Sequence, residues 1–326
     1  MDPQSPLTPI FIPESARMSP CRTAASFSAQ NLMPAPQVTA SAWSIINVET
    51  GEFLWAKNGD SANDIASLTK MMTCYVVKQC IKQSLCTEED IVTVPREATQ
   101  LGGTTAYLKT NDQLKIIDLL YGMMLPSGND AAYALADFCG GLMLADPRIN
   151  KQKSKYNNDI YFVKQMNVAC RKLGLKTTRF LNPHGLSHMG NTSTVIEIGK
   201  LGAALIKKPL VARIVSQIKY SCEVRNKGVC RKLTWCNTNL LLGQTGVTGL
   251  KTGNTNTAGP CLCASYNIYG YNLVITILKC RSPEKRWSEV IRLLNWAVNQ
   301  LDIICQKLTD KKIRIRNLSN LMNTFD

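Results

Sequence analysis

The chain has 326 residues, 45% of them hydrophobic and 19% charged, with a net charge of 38 − 23 = +15 and only two histidines, His184 and His188. This supplies core for one large or two small domains and excludes a disordered chain. No run approaches the roughly 18 apolar residues of a membrane-spanning helix, and two histidines leave little material for a Ser-His-Asp triad or a multi-histidine metal site.

Residues 1–36 hold seven of the 14 prolines. That density blocks helices and sheet ladders, so a disordered leader is expected there. Ile10-Phe11-Ile12 is too short for the apolar core of a secretory signal, which needs about 7–15 residues. Residues 41–57 read as a β-hairpin: Trp43, Ile45 and Phe53-Leu54-Trp55 favour strand, and Glu49-Thr50-Gly51 favours a turn. Leu68, Met71, Met72, Tyr75 and Val76 then share one helical face. Helices are predicted over Ile116–Met124 and Asp130–Phe138, separated by the loop Leu125-Pro126-Ser127-Gly128-Asn129, and again over 160–173 and 193–207.

The last third changes character. Gly249–Thr252, Leu262–Tyr266 and Asn272–Leu278 are short apolar runs between glycine- and asparagine-rich turns, a pattern that predicts a strand meander. A final helix covers 284–308, where Trp287, Val290, Ile291, Leu294, Val298 and Leu301 form one apolar stripe suited to packing on that sheet. A basic tail, 309–326, carries Lys311, Lys312, Arg314 and Arg316. The charge is uneven: residues 1–150 carry 10 basic and 15 acidic side chains, a net of −5, and residues 151–326 carry 28 and 8, a net of +20. Such a half offers a surface to an anionic envelope, membrane or nucleic acid, or simply a solvated face. Thirteen cysteines, an odd number, leave at least one thiol unpaired in a monomer. They form no CxxC…CxxC zinc pattern, and His184-Gly185-Leu186-Ser187-His188 lacks the glutamate of HExxH. No metal and no cofactor are expected.

The chemistry gathers in three segments. Ser67-Leu68-Thr69-Lys70 opens the first helix, and positions i and i+3 share a face, so the amine reaches the hydroxyl without any histidine. Ser127-Gly128-Asn129 lies in the loop between two helices, and Lys251-Thr252-Gly253 lies on a predicted strand. S-x-x-K, S-D-N and K-T-G form the motif set of penicillin-binding proteins and class A β-lactamases, and all three occur here in that order, the middle one with Gly128 at its second position.

The resemblance extends beyond the triple. Ala66–Thr73, Pro126–Ala132, Asn182-Pro183-His184-Gly185-Leu186 and Gly249–Thr255 followed by Ala258-Gly259 resemble the corresponding segments of low-molecular-mass D-alanyl-D-alanine carboxypeptidases. The likeness covers roughly residues 38–300, so a catalytic domain is expected over 37–308. It departs at Ser187, where the family usually has an acid, and at Asn254, where aromatic residues or histidine are common. Many members add a β-rich domain and an amphipathic anchor; only 309–326 follow the last predicted helix, so attachment by that route is not expected. The resemblance implies a mixed α/β (α+β) fold. In it, a mostly antiparallel five-stranded sheet packs between helices, a helical subdomain carries the second motif, and the site lies in the cleft between them.

It also implies roles. Ser67 would attack the penultimate D-alanine carbonyl of a peptidoglycan stem peptide, with Lys70 as its general base and Lys251 as a second cation lowering the Lys70 pKa. Ser127 would protonate the leaving amine, Asn129 would bind the substrate amide and orient the lysines, and Thr252 with Lys251 would hold the terminal carboxylate. The backbone N–H groups of Ser67 and Asn254 would form the oxyanion hole. β-Lactam antibiotics would stall as acyl-enzymes, and the protein would be exported to the cell envelope or periplasm. His184, flanked by proline and glycine, reads as a loop-fixing residue. Three rivals follow: a D,D-endopeptidase or transpeptidase, a serine β-lactamase using an acid such as Asp137, Asp146, Asp159 or Glu197, and a non-enzymatic basic module. No basic motif with aromatic stacking positions points to nucleic acid.

Overall fold

A computed structural model describes residues 33–146 and 156–322, with side chains to Lys307. The leader up to residue 32 and the side chains of the basic tail lie outside the described residues. The frame is a five-stranded antiparallel sheet, in the order β2-β1-β11-β10-β9, made of β1 (Ala42–Asn47), β2 (Phe53–Lys57), β9 (Val247–Gly253), β10 (Cys261–Ile268) and β11 (Tyr271–Leu278). The predicted hairpin and meander are its two parts, joined when β1 pairs with β11 from Ala42↔Leu278 to Asn47↔Leu273.

Both faces of this sheet are buried, which explains why its strands read as near-continuous apolar runs. Cys263, Val274 and Leu278 turn to one face. That face is covered by α6 (Val195–Ile206), against which α1 (Thr69–Lys82) packs in turn. Leu262, Ala264, Ile275 and Ile277 turn to the other and meet the stripe Trp287, Val290, Ile291, Leu294, Val298 and Leu301 of α8. Each fully buried aliphatic side chain contributes about 1.5–3 kcal/mol, so this stripe fixes α8 on the sheet. The helix spans Pro283–Met322, continuing past residue 308 through the segment expected as a tail. The buried Glu289 of α8 accepts the Thr39 and Ala40 amides at 2.8 and 3.1 Å, anchoring the chain where it enters β1.

The helical subdomain consists of α2 (Arg96–Thr99), α3 (Ile116–Met124), α4 (Asn129–Ala145) and α5 (Asn158–Lys172), with α7 (Pro209–Val215) between α3 and the sheet. The mixed fold, the five-stranded sheet and the subdomain carrying the second motif agree with expectation. A second sheet was not anticipated. It has the order β4-β5-β7-β8, from β4 (Ile91–Thr93), β5 (Gln113–Lys115), β7 (Lys219–Asn226) and β8 (Val229–Cys236). A two-stranded pair, β3 (Asn63–Asp64) with β6 (Thr192–Ser193), closes the list of strands.

Candidate active site

Ser67 sits in the 3₁₀ turn Ala66–Leu68 that leads into α1. Ala66 ahead of it has φ 47°, a left-handed backbone costing about 1–3 kcal/mol in a non-glycine residue. The conformation is held from both sides. Its amide donates to Asp64 Oδ1 at 3.0 Å, and Gly185 presses on its carbonyl. A Cβ on Gly185, whose φ is +85°, would stand 2.0 Å from the Ala66 oxygen. The glycine of the H-G-L segment is therefore required by this close approach.

One helical turn on, the Lys70 side chain is fully buried. Its Nζ lies 2.9 Å from Ser67 Oγ, 2.7 Å from Asn129 Oδ1 and 2.6 Å from the His184 carbonyl oxygen. Burial, and then the charge of Lys251, hold its pKa well below the usual lysine value, against a smaller opposing pull from Asp130. An amide oxygen and a carbonyl oxygen accept only. A neutral amine therefore spends both its N–H bonds on Asn129 and His184 and turns its lone pair to Ser67. Asn129 is fixed in turn, since its Nδ2 donates to the Gly102 carbonyl at 2.7 Å and its amide to the Thr104 carbonyl at 2.9 Å.

The loop between α3 and α4 presents Ser127 with φ 68°. Its Oγ is buried and has no hydrogen-bond partner among the described residues. An orphaned buried hydroxyl costs about 1–3 kcal/mol, a penalty that a substrate amine or carboxylate would relieve. The next α4 residue, Asp130, accepts the Ala106, Leu108 and Ala131 amides and the Thr105 hydroxyl, clamping the 104–108 loop against the motif.

The third segment is on β9, an edge strand of the five-stranded sheet. Lys251 and Thr252 are both buried. Lys251 is held down to about 7 by burial and by the nearby Arg286. A Cβ on Gly253 would lie 3.2 Å from the Ser67 nitrogen, so the start of α1 and the end of β9 run in contact. This sets Asn254, the residue after the strand, close to the Ser67 amide.

Of the sequence-predicted residues, Ser67, Lys70 and Asn129 are thus joined by direct hydrogen bonds. Lys251 acts on Lys70 through charge, Thr252 and Asn254 lie on or beside the adjoining strand, and Ser127 is two residues from Asn129. His184 Nδ1 accepts the Leu186 amide at 3.2 Å; burial, with Lys70, lowers its pKa to about 3. It is neutral and fixes its loop, as expected, but its carbonyl is also the third partner of Lys70.

Three supporting residues were not foreseen. Thr238 links the motifs: its hydroxyl is 2.7 Å from Thr252 Oγ1, and its amide donates to the Leu125 carbonyl at 3.0 Å. Arg286, at the start of α8, donates to the Gly253 and Cys261 carbonyls, both at 3.2 Å. Asp64 accepts from Thr257 Oγ1 and from Ser187 Oγ, the latter at 3.3 Å, and Ser187 and Thr257 hydroxyls are 2.8 Å apart. Ser187 therefore joins the H-G-L segment to the loop after K-T-G through a carboxylate supplied by Asp64. Glu197, one of the acids weighed for a β-lactamase, is engaged by the Thr177 amide and Thr178 hydroxyl.

Comparison with known proteins agrees with this geometry. Residues 29–282 match the D-alanyl-D-alanine carboxypeptidase family. The chain is 34% identical over 279 residues to D-alanyl-D-alanine carboxypeptidase DacC of Escherichia coli (strain K12), covering 83% of this chain and 64% of that protein. It is 31% identical over 268 residues to a D-alanyl-D-alanine carboxypeptidase of Streptomyces sp. (strain K15), covering 80% of this chain and 88% of the relative. The crystal structure of the Streptomyces K15 DD-transpeptidase superposes with a TM-score of 0.72 at 30% identity, covering 81% of this chain and 98% of that one. The chain spans somewhat less than two thirds of the Escherichia coli DacC relative. On these matches, which reach over most of its length, the chain belongs to the D-alanyl-D-alanine carboxypeptidase family.

Proposed function

We propose that the protein is a serine D-alanyl-D-alanine carboxypeptidase acting on peptidoglycan stem peptides at the cell envelope, and that β-lactams acylate the same serine. The observation that carries this reading is the Lys70 amine, buried and 2.9 Å from Ser67 Oγ, with its two other neighbours acceptors only. In its neutral form Lys70 takes the Ser67 proton as the oxygen attacks the penultimate D-alanine carbonyl. The Ser67 and Asn254 amides receive the negative charge that develops on the carbonyl oxygen, a contribution of about 10²–10³ in rate per donor. Ser127 Oγ relays the proton to the leaving D-alanine nitrogen, and water then releases the acyl-enzyme.

Binding follows from the same geometry. The free edge of β9 pairs with the extended substrate backbone. Lys251, Thr252 and the positive field of Arg286 receive the terminal carboxylate. Asn129 Nδ2, now on the Gly102 carbonyl, turns in this reading to the incoming amide. No helix among the described residues is long and apolar enough to cross a membrane, and the net +20 of residues 151–326 suits contact with an anionic envelope surface.

The test is digestion of a pentapeptide ending in D-Ala-D-Ala, with products read by mass spectrometry. Free D-alanine and a tetrapeptide are expected. The Streptomyces K15 neighbour bears the name DD-transpeptidase, and cross-linked products in place of free D-alanine would assign that reaction instead. Rapid turnover of penicillin would assign a β-lactamase.

A further inference from the structure

The β7–β8 hairpin plays no part in the reaction above, yet its outer strand is open. β8 is the last strand of its sheet. The hairpin turns through Lys227 and Gly228, with Asn226 facing Val229. In a two-residue hairpin that closing pair exchanges hydrogen bonds, and hydrogen-bonded pairs then alternate along the strands. The Asn237 amide donates to the Ile218 carbonyl at 2.8 Å, which fixes the same phase at the far end. Val229, Arg231, Leu233 and Trp235 therefore spend their backbone groups on β7. Cys230, Lys232, Thr234 and Cys236 aim theirs at the open edge. All four side chains are exposed, and none of the four backbones is bonded to another element among the described residues.

We propose that this edge is a self-association surface on which a second copy adds its own β8, locked by two disulfides. Antiparallel pairing about a two-fold axis at Leu233 places residues whose numbers sum to 466 opposite each other. Cys230 then faces Cys236 of the second copy, Lys232 faces Thr234, and the pattern repeats on the other side of the axis. These facing pairs belong to the set with free edge groups, while Arg231 opposite Trp235 and Leu233 opposite Leu233 are the non-hydrogen-bonded pairs between them, so the register that aligns the thiols also satisfies the backbone. Facing residues of a hydrogen-bonded pair have Cα atoms about 5.5 Å apart, inside the roughly 4.4–6.8 Å that a disulfide spans, and their Cβ atoms, up to about 5.5 Å apart, must close by about 1 Å to reach the roughly 3.5–4.5 Å of a disulfide. The two Lys232 side chains meet only diagonally, about 7–8 Å apart, and each has Glu223 opposite it in its own hairpin.

An eight-residue edge is far smaller than a standard interface of about 1,200–2,000 Å², so the covalent links provide persistence. With oxidised glutathione as the oxidant, the Cys230 thiolate attacks it and releases one glutathione thiolate. The Cys236 thiolate of the second copy then attacks the mixed disulfide on Cys230 and releases the second. Two links consume two molecules of oxidised glutathione and yield four of glutathione.

The test is incubation of the full chain with oxidised glutathione, read by non-reducing electrophoresis and mass spectrometry of linked peptides. The expected result is a reductant-sensitive dimer joined only by Cys230–Cys236 links. Each link uses one cysteine of each kind, so C230S alone or C236S alone is expected to abolish both links and leave a monomer. Links of Cys230 to Cys230 or Cys236 to Cys236, single variants that still dimerise, or a wild type that stops at glutathione adducts would each overturn the proposal. Penicillin labelling of every variant at the wild-type rate verifies that the fold is kept.

Discussion

The N129D substitution probes the electrostatics of the base while leaving the volume of the site unchanged. Asn129 Oδ1 lies 2.7 Å from Lys70 Nζ, and a carboxylate there would favour the ammonium. At that separation a full ion pair is worth about 6 kcal/mol at an effective dielectric constant near 20. Even a third of it, about 2 kcal/mol, favours the ammonium enough to reduce the neutral, reactive fraction of Lys70 by up to about 30-fold. The second oxygen would also face the Gly102 carbonyl, where Nδ2 now donates at 2.7 Å, so nothing offsets the loss. The assay is the second-order rate of acylation by a fluorescent penicillin between pH 6 and 10. A fall of up to about 30-fold is expected, largest at the acid end of the range and recovering by up to about tenfold per pH unit as the amine is deprotonated. A rate within threefold of wild type throughout the range, or a loss that stays flat across it, would refute the electrostatic reasoning.

Other outcomes follow from the same geometry. S127A is expected to slow release of D-alanine from a peptide by about 10²–10⁴ while barely affecting acylation by a thioester, whose leaving group needs no proton; equal losses on both would remove Ser127 from the proton relay. Lys251, held down to about 7, loses its charge as pH rises through that value, so kcat/KM for a carboxylate-bearing peptide is expected to fall above about pH 7. Removing the neighbouring cation in R286Q raises the Lys251 pKa, and pH profiles of the two proteins should show that limb moved to higher pH. G185A puts a Cβ 2.0 Å from the Ala66 oxygen at φ +85°; a loss of at least about 3 kcal/mol is expected, read as a melting point lower by at least about 6 °C.

The parts of the fold that the sequence discloses are those whose burial has a period. The face of Leu68, Met71, Met72 and Val76 is apolar at helical spacing because α1 is buried among α3, α4, α5 and α6, and the α8 stripe because it lies on the sheet. The meander strands are apolar throughout because both their faces are covered. The β7–β8 hairpin alternates too, but its inner face is only half covered and includes Arg231, with Val224 and Trp235 alone fully buried, so its apolar signal is weak.

The site divides similarly. Ser67, Lys70, Ser127, Asn129 and Lys251-Thr252 were legible because each pair or triplet sits at fixed spacing on one local element. Thr238 and Arg286 were not, since they reach the third motif from 14 and 33 residues away in sequence; Asp64 adjoins the first motif, but its partner Thr257 is 193 residues away. The His184 carbonyl is a backbone atom, and residue identity says nothing of where it points. The strained φ of Ala66 and Ser127 belongs to the same class, because only the folded loops impose it.

The central claim is that Ser67, activated by Lys70, is the acylated nucleophile. Fluorescent penicillin labelling followed by peptide mass spectrometry tests it most directly. The account predicts a stable adduct on the peptide containing Ser67 in the wild type and none in S67A. Equal labelling of S67A, or an adduct on another residue of the wild type, would contradict it.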